Sequence, residues 1–475
     1  MARDYQSIDI IGGGIIGTTL ATELLREVRR QGLRTEVHLF ERRGQLGMEN
    51  TEKSFEGVRT YWFTAQEIRF YLTSIRAMQD LVAHFGEDAR FSANDPDGVK
   101  ITANYRPVGY HYFLSEEEFQ DALKLKSLFE QSHVPIEFYT KDDARKIDWI
   151  ANNFDLDALV LDEDEWVLDN FHFESWSKEG FDPRAILPEQ SMRHYAIAGY
   201  VHVPVAGFVS AGDVVSSYRA VFEKLGGKLH LNTEVTGVDA QNRRVQAIRF
   251  RSMHTSGTGG MSRHDKSESK PTDYVVNAAG VWSDELNRAI MGERLGIMPH
   301  RRFPLIVKPP QGYRTDHGMV LLKQRVIRPD GDKVWLYYTP PKEKSGIQEE
   351  PPDEHTFDEY FFKYIYSVFC HPGRPFVRSA ETIGLSGSTD RRGWMGHYAD
   401  TPDERPLIGV PRPDILENYA VSTGYSGHGV QASIAAALGL THDILQLSDP
   451  PIVKIPDSYY ASRDLTRAKP DHSRL

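Results

Sequence analysis

The sequence predicts an α/β fold with a doubly wound parallel sheet, and two observations carry that prediction. Residues 7–17 are a short apolar run ending in glycines; Ile16, Leu20, Leu24 and Val28 then recur at helical spacing, and a second apolar run, Val37 to Phe40, closes at Glu41. Strand, glycine turn, helix and strand in that order form the βαβ unit that opens a doubly wound sheet. Near the C-terminus the strand-like NYAVST leads into a glycine turn, Gly424 to Gly429, and an alanine-rich helix.

The remaining elements follow in order. From about 98 to 205 the chain is more polar and aromatic, with a helix expected over Glu116 to Gln131 and an acidic stretch from Asp155 to Asp169. That stretch lacks calcium-loop spacing and reads as a solvated face. Gly207 to Gly226 reads as a loop feeding an amphipathic helix, Lys228 to Phe250 as paired strands, and Tyr274 as the start of another strand. Between them, RSMHTSGTGGMSRHDKSESKP has the composition of a flexible hairpin tip. Segments 152–195 and 341–375 read as insertions, and the polar end from about Pro456 as a surface tail.

Composition bounds the function. A length of 475 residues predicts roughly three folding units, although large α/β enzymes weave fewer units from several segments. Hydrophobic residues at 40%, charged at 26% and aromatics at 11% match a globular enzyme and exclude disordered, collagen-like and coiled-coil chains. With 56 basic against 67 acidic residues the net charge is -11, so the chain as a whole repels nucleic acid and anionic membranes. The single cysteine, Cys370, forms no intrachain disulfide, suits a reducing compartment and reads as an inert thiol. The chain enters a strand almost at once, without room for a cleavable leader, and the early apolar stretch is interrupted by Asp9 and Glu23; a cytoplasmic protein without a membrane span is expected.

Gly12-Gly13-Gly14-Ile15-Ile16-Gly17 is a GxGxxG sequence set between strand and helix, with an acid ending the next strand. Gly12 permits the tight turn, Gly14 lets a pyrophosphate approach the backbone, and Gly17 lets helix and strand pack closely. The helix start offers N–H groups to phosphate, and Glu41 accepts from an adenosine ribose. The later strand TDYVVNAAGVWS ends in small residues, Asn277 to Gly280, that allow close approach to a cofactor. The second glycine turn presents another helix start to the electron-rich N1 and O2 of a reduced flavin.

These residues carry a resemblance. IIGGGIIG, TEKSFEGVRTYW, VAGFVSAGDVV, NAAGVWS, and WMGHYADTPDERPLIG with STGYSGHGVQ resemble the D-amino-acid oxidase superfamily of FAD-dependent oxidoreductases, on the branch with sarcosine oxidase, dimethylglycine dehydrogenase and glycine oxidase. The resemblance implies a Rossmann-like FAD-binding domain from 1–97, 206–297 and 400–475, interwoven with an antiparallel-sheet substrate domain from 98–205 and 298–399. Motif and resemblance together assign to FAD Gly12, Gly14, Ile15, Ile16, Gly17, Glu41, Arg42, Lys53, Ser54, Val235, Ala279, Gly280, Gly424, Gly427 and Gly429.

The departures from the family are specific. Positions that carry covalent flavin in some members match Gly396 and Ser54, neither of which can form the bond, so non-covalent FAD is expected. A carboxylate-binding lysine of sarcosine oxidases is matched by Gln431, and an arginine of glycine oxidases by Tyr398. Arg59 matches an arginine near the flavin ring and either supports flavin or substrate charge or bridges domains as an ion pair. His428 is polar or structural within its turn, and Tyr398 and Trp394 either contact substrate or pack. No HxxxH spacing occurs among the histidines, His371 and His397 included, so no metal is assigned.

The expected activity is oxidation of a C–N bond in an amine or N-substituted amino acid by hydride transfer to flavin N5, with Arg59, Tyr398, His428 and Gln431 around the substrate. No catalytic dyad is visible. A 2-hydroxy acid substrate, which calls for a base such as histidine, and a flavin-containing assembly factor with little turnover are the alternatives. With fixed charge lost at two positions, a larger amine than glycine, sarcosine or D-alanine is expected, with Arg59 its nearest cation. Oxygen or an electron carrier reoxidises the flavin, and Lys308, Lys323, Lys342 and Lys344 lie in regions suited to oxygen chemistry.

Overall fold

A computed structural model describes residues 2–91, 100–157, 160–162, 194–255, 261–302, 304–309, 312–322, 325–338, 392–463 and 465. Cys370, His371, Lys323, Lys342, Lys344, the 341–375 segment and most of 152–195 lie outside them.

Strand β1 (Ser7–Ile11) is buried along its whole length, as a central parallel strand covered on both faces must be. Helix α1 (Ile15–Arg30) turns Leu20, Leu24 and Val28 inward and ends in Arg29 and Arg30, which complement the negative end of its dipole. Strand β2 (Glu36–Phe40) returns beside β1 in parallel register, Ile11 opposite Phe40. The sheet has six strands in the order Lys228–His230, β2, β1, Tyr274–Asn277, Tyr419–Thr423 and Leu407–Gly409, the last pairing antiparallel. The helix Gly429–Leu445 is almost wholly buried and crosses α1 closely enough for the Thr19 hydroxyl to reach the Ser433 carbonyl at 3.2 Å.

The second large sheet has eight strands: Arg392–Gly393, Leu305–Val307, Lys333–Tyr338, Arg325–Asp330, Met319–Leu322, Tyr110–Leu114, Gly199–Val203 and Glu137–Thr140 in spatial order. Its pairings are antiparallel except for Met319–Leu322 with Tyr110–Leu114. A separate ladder, Met298–Arg302 with Gly396–Asp400, stands between the two sheets in chain order.

Three expectations are corrected. The polar segment read as a hairpin tip is mostly strand: Arg244–Thr255 pairs with Thr233–Gln241 on one side and with Met261–Pro271 on the other in a three-stranded sheet. Backbone pairing needs no apolar side chains, and Lys270 pins this sheet to the parallel one through buried Asp9 at 2.8 Å. The helix expected over 116–131 is two helices, Glu116–Lys124 and Lys126–Gln131, because the Leu125 N–H bonds the Ala122 carbonyl, a tighter i to i−3 turn. The end of the chain is docked through residue 463: Tyr459 is buried against Phe70 and Tyr71, and Arg463 forks onto Asp403 at 2.8 Å.

Candidate functional site

Of the positions assigned from the sequence to FAD and to the substrate, all but Gly17 line one cavity of about 1120 Å³. Gly17 instead packs helix on strand, where a Cβ would stand 1.9 Å from the Gly12 carbonyl oxygen. Gly12 adopts φ 108°, and its missing Cβ would meet the Ala278 carbonyl oxygen at 2.5 Å, so the turn and the NAAG strand end approach as only glycine allows.

Gly14 caps α1 without a side chain of its own, and the Ile15 N–H donates to the Thr51 hydroxyl at 3.0 Å, both beside the cavity. Glu41 is buried and accepts from the Gly13 N–H at 2.8 Å and the Arg43 N–H at 2.7 Å. Burial raises its pKa, and the two backbone donors and Arg42 offset only part of that rise. Arg42 lies 4.1 Å over the Trp282 ring and 3.2 Å from Glu49. At the far rim, Glu234 bridges Arg251 at 2.6 Å and Arg263 at 3.3 Å.

The other end of the cavity is built around the second glycine turn. Gly427 has φ 84°, and a Cβ there would stand 2.3 Å from the Tyr398 ring, so this phenol is pressed on the turn. Gln431, 2% exposed, accepts from the Arg59 N–H at 2.7 Å, while its Nε2 has no partner and lines the cavity. Arg59 donates to His428 Nε2 at 3.0 Å and lies 5.0 Å over Trp62. Arg59, His428, Gln431 and Tyr398 thus converge on one wall. Burial and the neighbouring Tyr337 push the Tyr398 hydroxyl up, so it stays a neutral donor. Burial lowers the Lys53 pKa, partly countered by Glu49 at 4.0 Å. Trp394 packs edge-on to Trp335 and donates to the Lys53 carbonyl at 2.9 Å. Lys308 is exposed and away from the cavity wall.

Sequence reasoning missed His300, Arg302 and Asp400. Antiparallel register places His300 opposite Tyr398 and Arg302 opposite Gly396, so His300, Arg302, Tyr398 and Asp400 share one face of the ladder, and all four line the cavity. His300 Nδ1 and Asp400 Oδ2 are 2.8 Å apart, both groups buried, a dyad that the sequence reading did not contain. Arg302 is 5% exposed and lies 4.5 Å over the Tyr398 ring, so the wall regains the fixed charge expected to be lost. The only signal is the period-two pattern in PHRR and HYAD, and the two motifs pair across a separation of 100 residues.

The residues present fit FAD. Two glycine turns whose missing Cβ atoms open one continuous cavity, the start of α1 at one end and the unpartnered Gln431 donor at the other match an elongated dinucleotide rich in acceptors. Among the described residues no group of three or more His, Cys, Asp or Glu is placed to hold a metal ion, and no helix is long and apolar enough to cross a membrane.

Comparison with known proteins agrees. The chain is 22% identical over 444 residues to FAD-dependent oxidoreductase domain-containing protein 1 of Xenopus laevis, spanning 90% of this chain and 76% of that one. To the Bos taurus protein of the same name it is 22% identical over 470 residues, 93% of this chain and 82% of that one. In structure it resembles L-proline dehydrogenase from P. horikoshii, with a TM-score of 0.65 at 19% identity over 98% of this chain and 99% of that chain. Glycine oxidase from Geobacillus kaustophilus also gives 0.65, at 18% identity over 97% and 99%. The family described as FAD dependent oxidoreductase, DAO, matches residues 8–442, and the chain belongs to it.

Proposed function

We propose that this flavoenzyme oxidises a C–N bond of an amine or N-substituted amino acid. The observation that carries the reading is the wall formed by Arg59, His428, Gln431 and Tyr398 at the second glycine turn, which sets polar donors beside a cavity also lined by apolar Met319, Leu321 and Val326. FAD, held between the two glycine turns, would supply the hydride acceptor. The chain supplies position and dryness: Gln431 and Tyr398 orient polar groups, Arg59 supplies a cation, and the apolar side excludes water. A neutral amine pushes electrons toward its own carbon, so no strong base is required.

The His300–Asp400 dyad on the cavity wall favours a second reading, oxidation of a 2-hydroxy acid, in which an imidazole oriented by a carboxylate accepts the hydroxyl proton. Anaerobic spectroscopy of the yellow protein against N-methyl amino acids, D-amino acids and 2-hydroxy acids separates the two. Bleaching by an amine supports the first reading; bleaching by hydroxy acids alone supports the second; no bleaching by any member sinks both in favour of a protein with little turnover. The assignment of Gly396 and Ser54 to the linkage positions supports non-covalent FAD, so acid precipitation is expected to leave the flavin in the supernatant. Colour kept in the pellet overturns that.

A further inference from the structure

Behind the cavity, and outside its lining, lies a buried arginine that the oxidative reading does not use. Arg328 is 2% exposed; its Nη1 donates to the Phe55 carbonyl at 2.9 Å and its Nη2 to the Glu56 carboxylate at 3.1 Å. Strand register explains its place. Val326 and Tyr337 are cross-strand partners that line the cavity, and one pleat further along the same face Arg328 stands opposite Trp335, behind residues 55 and 56. The guanidinium carbon lies 4.0 Å from the Trp335 ring centroid and 4.5 Å from that of Phe208, which fixes its orientation. We propose that Arg328 is a positioning residue: through this two-pronged contact it holds the turn Phe55–Gly57, and the turn sets where Ser54 and Arg59 stand on the cavity wall. The inference goes beyond the oxidative reading and holds for an amine or a hydroxy acid alike.

The turn needs holding. Glu56 has φ 59°, in the left-handed region that favours glycine, so its conformation persists only where surrounding contacts enforce it. Its carboxylate also accepts from the Ala211 N–H at 3.1 Å, at the start of the helix Ala211–Lys224; its own N–H donates to the Ser54 hydroxyl at 2.8 Å, and its carbonyl accepts from the Val209 N–H at 3.0 Å. Of these contacts, the two from Arg328 come from the eight-stranded sheet and set that sheet against the turn. The next residue leaves no slack: a Cβ on Gly57 would stand 2.0 Å from the Tyr110 hydroxyl and 2.9 Å from Met319 Cε, both on cavity side chains. Two residues on, the Arg59 N–H donates to Gln431 at 2.7 Å. A shift at Phe55–Gly57 therefore moves Ser54 on one side and Arg59 on the other.

The test is hydrogen exchange of the FAD-loaded protein, read by mass spectrometry on peptides covering 53–59, with the visible circular dichroism of the flavin as a second readout of the cavity wall. In Arg328→Met the amides of 53–59 are expected to exchange roughly tenfold faster, the factor that loss of one charged hydrogen bond brings, while β1 and α1 keep wild-type rates and the flavin signal changes. Arg328→Lys, the milder variant, keeps the charge without the planar fork and is expected to exchange about threefold faster in the same peptides. It carries the same reading if the methionine variant does not fold. Arg328 also lines a second cavity of about 360 Å³, whose lining includes the exposed Asn104 and Arg106, and methylguanidinium can enter there. At concentrations that leave the wild-type melting temperature unchanged, it is expected to restore both the exchange rates and the flavin signal of Arg328→Ala. Wild-type exchange of 53–59 in the methionine and lysine variants overturns the proposal. So does faster exchange spread evenly over the chain, faster exchange in 53–59 with an unaltered flavin signal, or a signal that methylguanidinium leaves unrestored.

Discussion

The two ends of the cavity are built by different means. At the end lined by the first glycine turn the walls are backbone: glycines whose missing Cβ atoms open the space, the start of α1, and a carboxylate held by N–H groups. At the other end they are side chains: Arg302, His300, Asp400 and Tyr398 from one ladder, and Arg59, His428 and Gln431 about the second turn. Backbone recognition tolerates one residue type at each critical point. Side-chain recognition tolerates many, and so lets a family change substrate while keeping its cofactor.

The sharpest way to break this contrast is at Gly17. A Cβ there stands 1.9 Å from a backbone oxygen that cannot move without displacing β1, so Gly17→Val is expected to cost about 3 kcal/mol or more and to strip the flavin. Full flavin content at an unchanged melting temperature would show that the turn is not limiting. In the eight-stranded region the expected signature is pH dependence. His317 is buried, stacked on Trp149 at 4.3 Å, and desolvation lowers its pKa to about 4. Between pH 6.5 and 4 the unfolded chain binds the proton that the folded chain refuses, so stability is complete above 6.5 and falls as pH drops toward 4, by on the order of 3 kcal/mol from this group. Urea unfolding at several pH values checks it. His317→Phe should flatten the slope in that window by about one proton, and an unchanged slope would remove His317 from the account.

A smaller effect is expected at Glu41, the one side chain central to the backbone-built end. Glu41→Ala is expected to weaken FAD by about 1 to 3 kcal/mol, read from the dissociation constant of the reconstituted protein. An unchanged constant would leave that end to the backbone alone. The least effect is expected at the rim: Arg263 is half exposed and shares Glu234 with Arg251, so Arg263→Ala should shift FAD affinity by less than about 1 kcal/mol. A larger loss would make the three-stranded sheet a clamp on the cofactor.

The sequence by itself determined the glycine-lined end of the cavity. GxGxxG between a strand and a helix, the acid at Glu41, NAAG and the second glycine turn are local patterns, and the glycines Gly12, Gly17 and Gly427 sit where a Cβ would clash. It also singled out Arg59, His428, Gln431 and Tyr398, which share one cavity wall, because they sit inside or beside those patterns. Only the tertiary structure decided which charges meet them. PHRR carries no local signal of a site, and its partner motif HYAD becomes its neighbour only when two strands 100 residues apart pair in a register that turns His300, Arg302, Tyr398 and Asp400 to one face. The polar segment after Phe250 was misread for a related reason: strand pairing there is held by backbone hydrogen bonds and by Lys270 on Asp9, and neither leaves a hydrophobic period to read. Glycine is legible because a local turn motif marks it, even where the contact that requires it is distant, as at Gly12 with Ala278; a buried arginine is not, because no local motif marks it and its partners arrive from elsewhere in the chain.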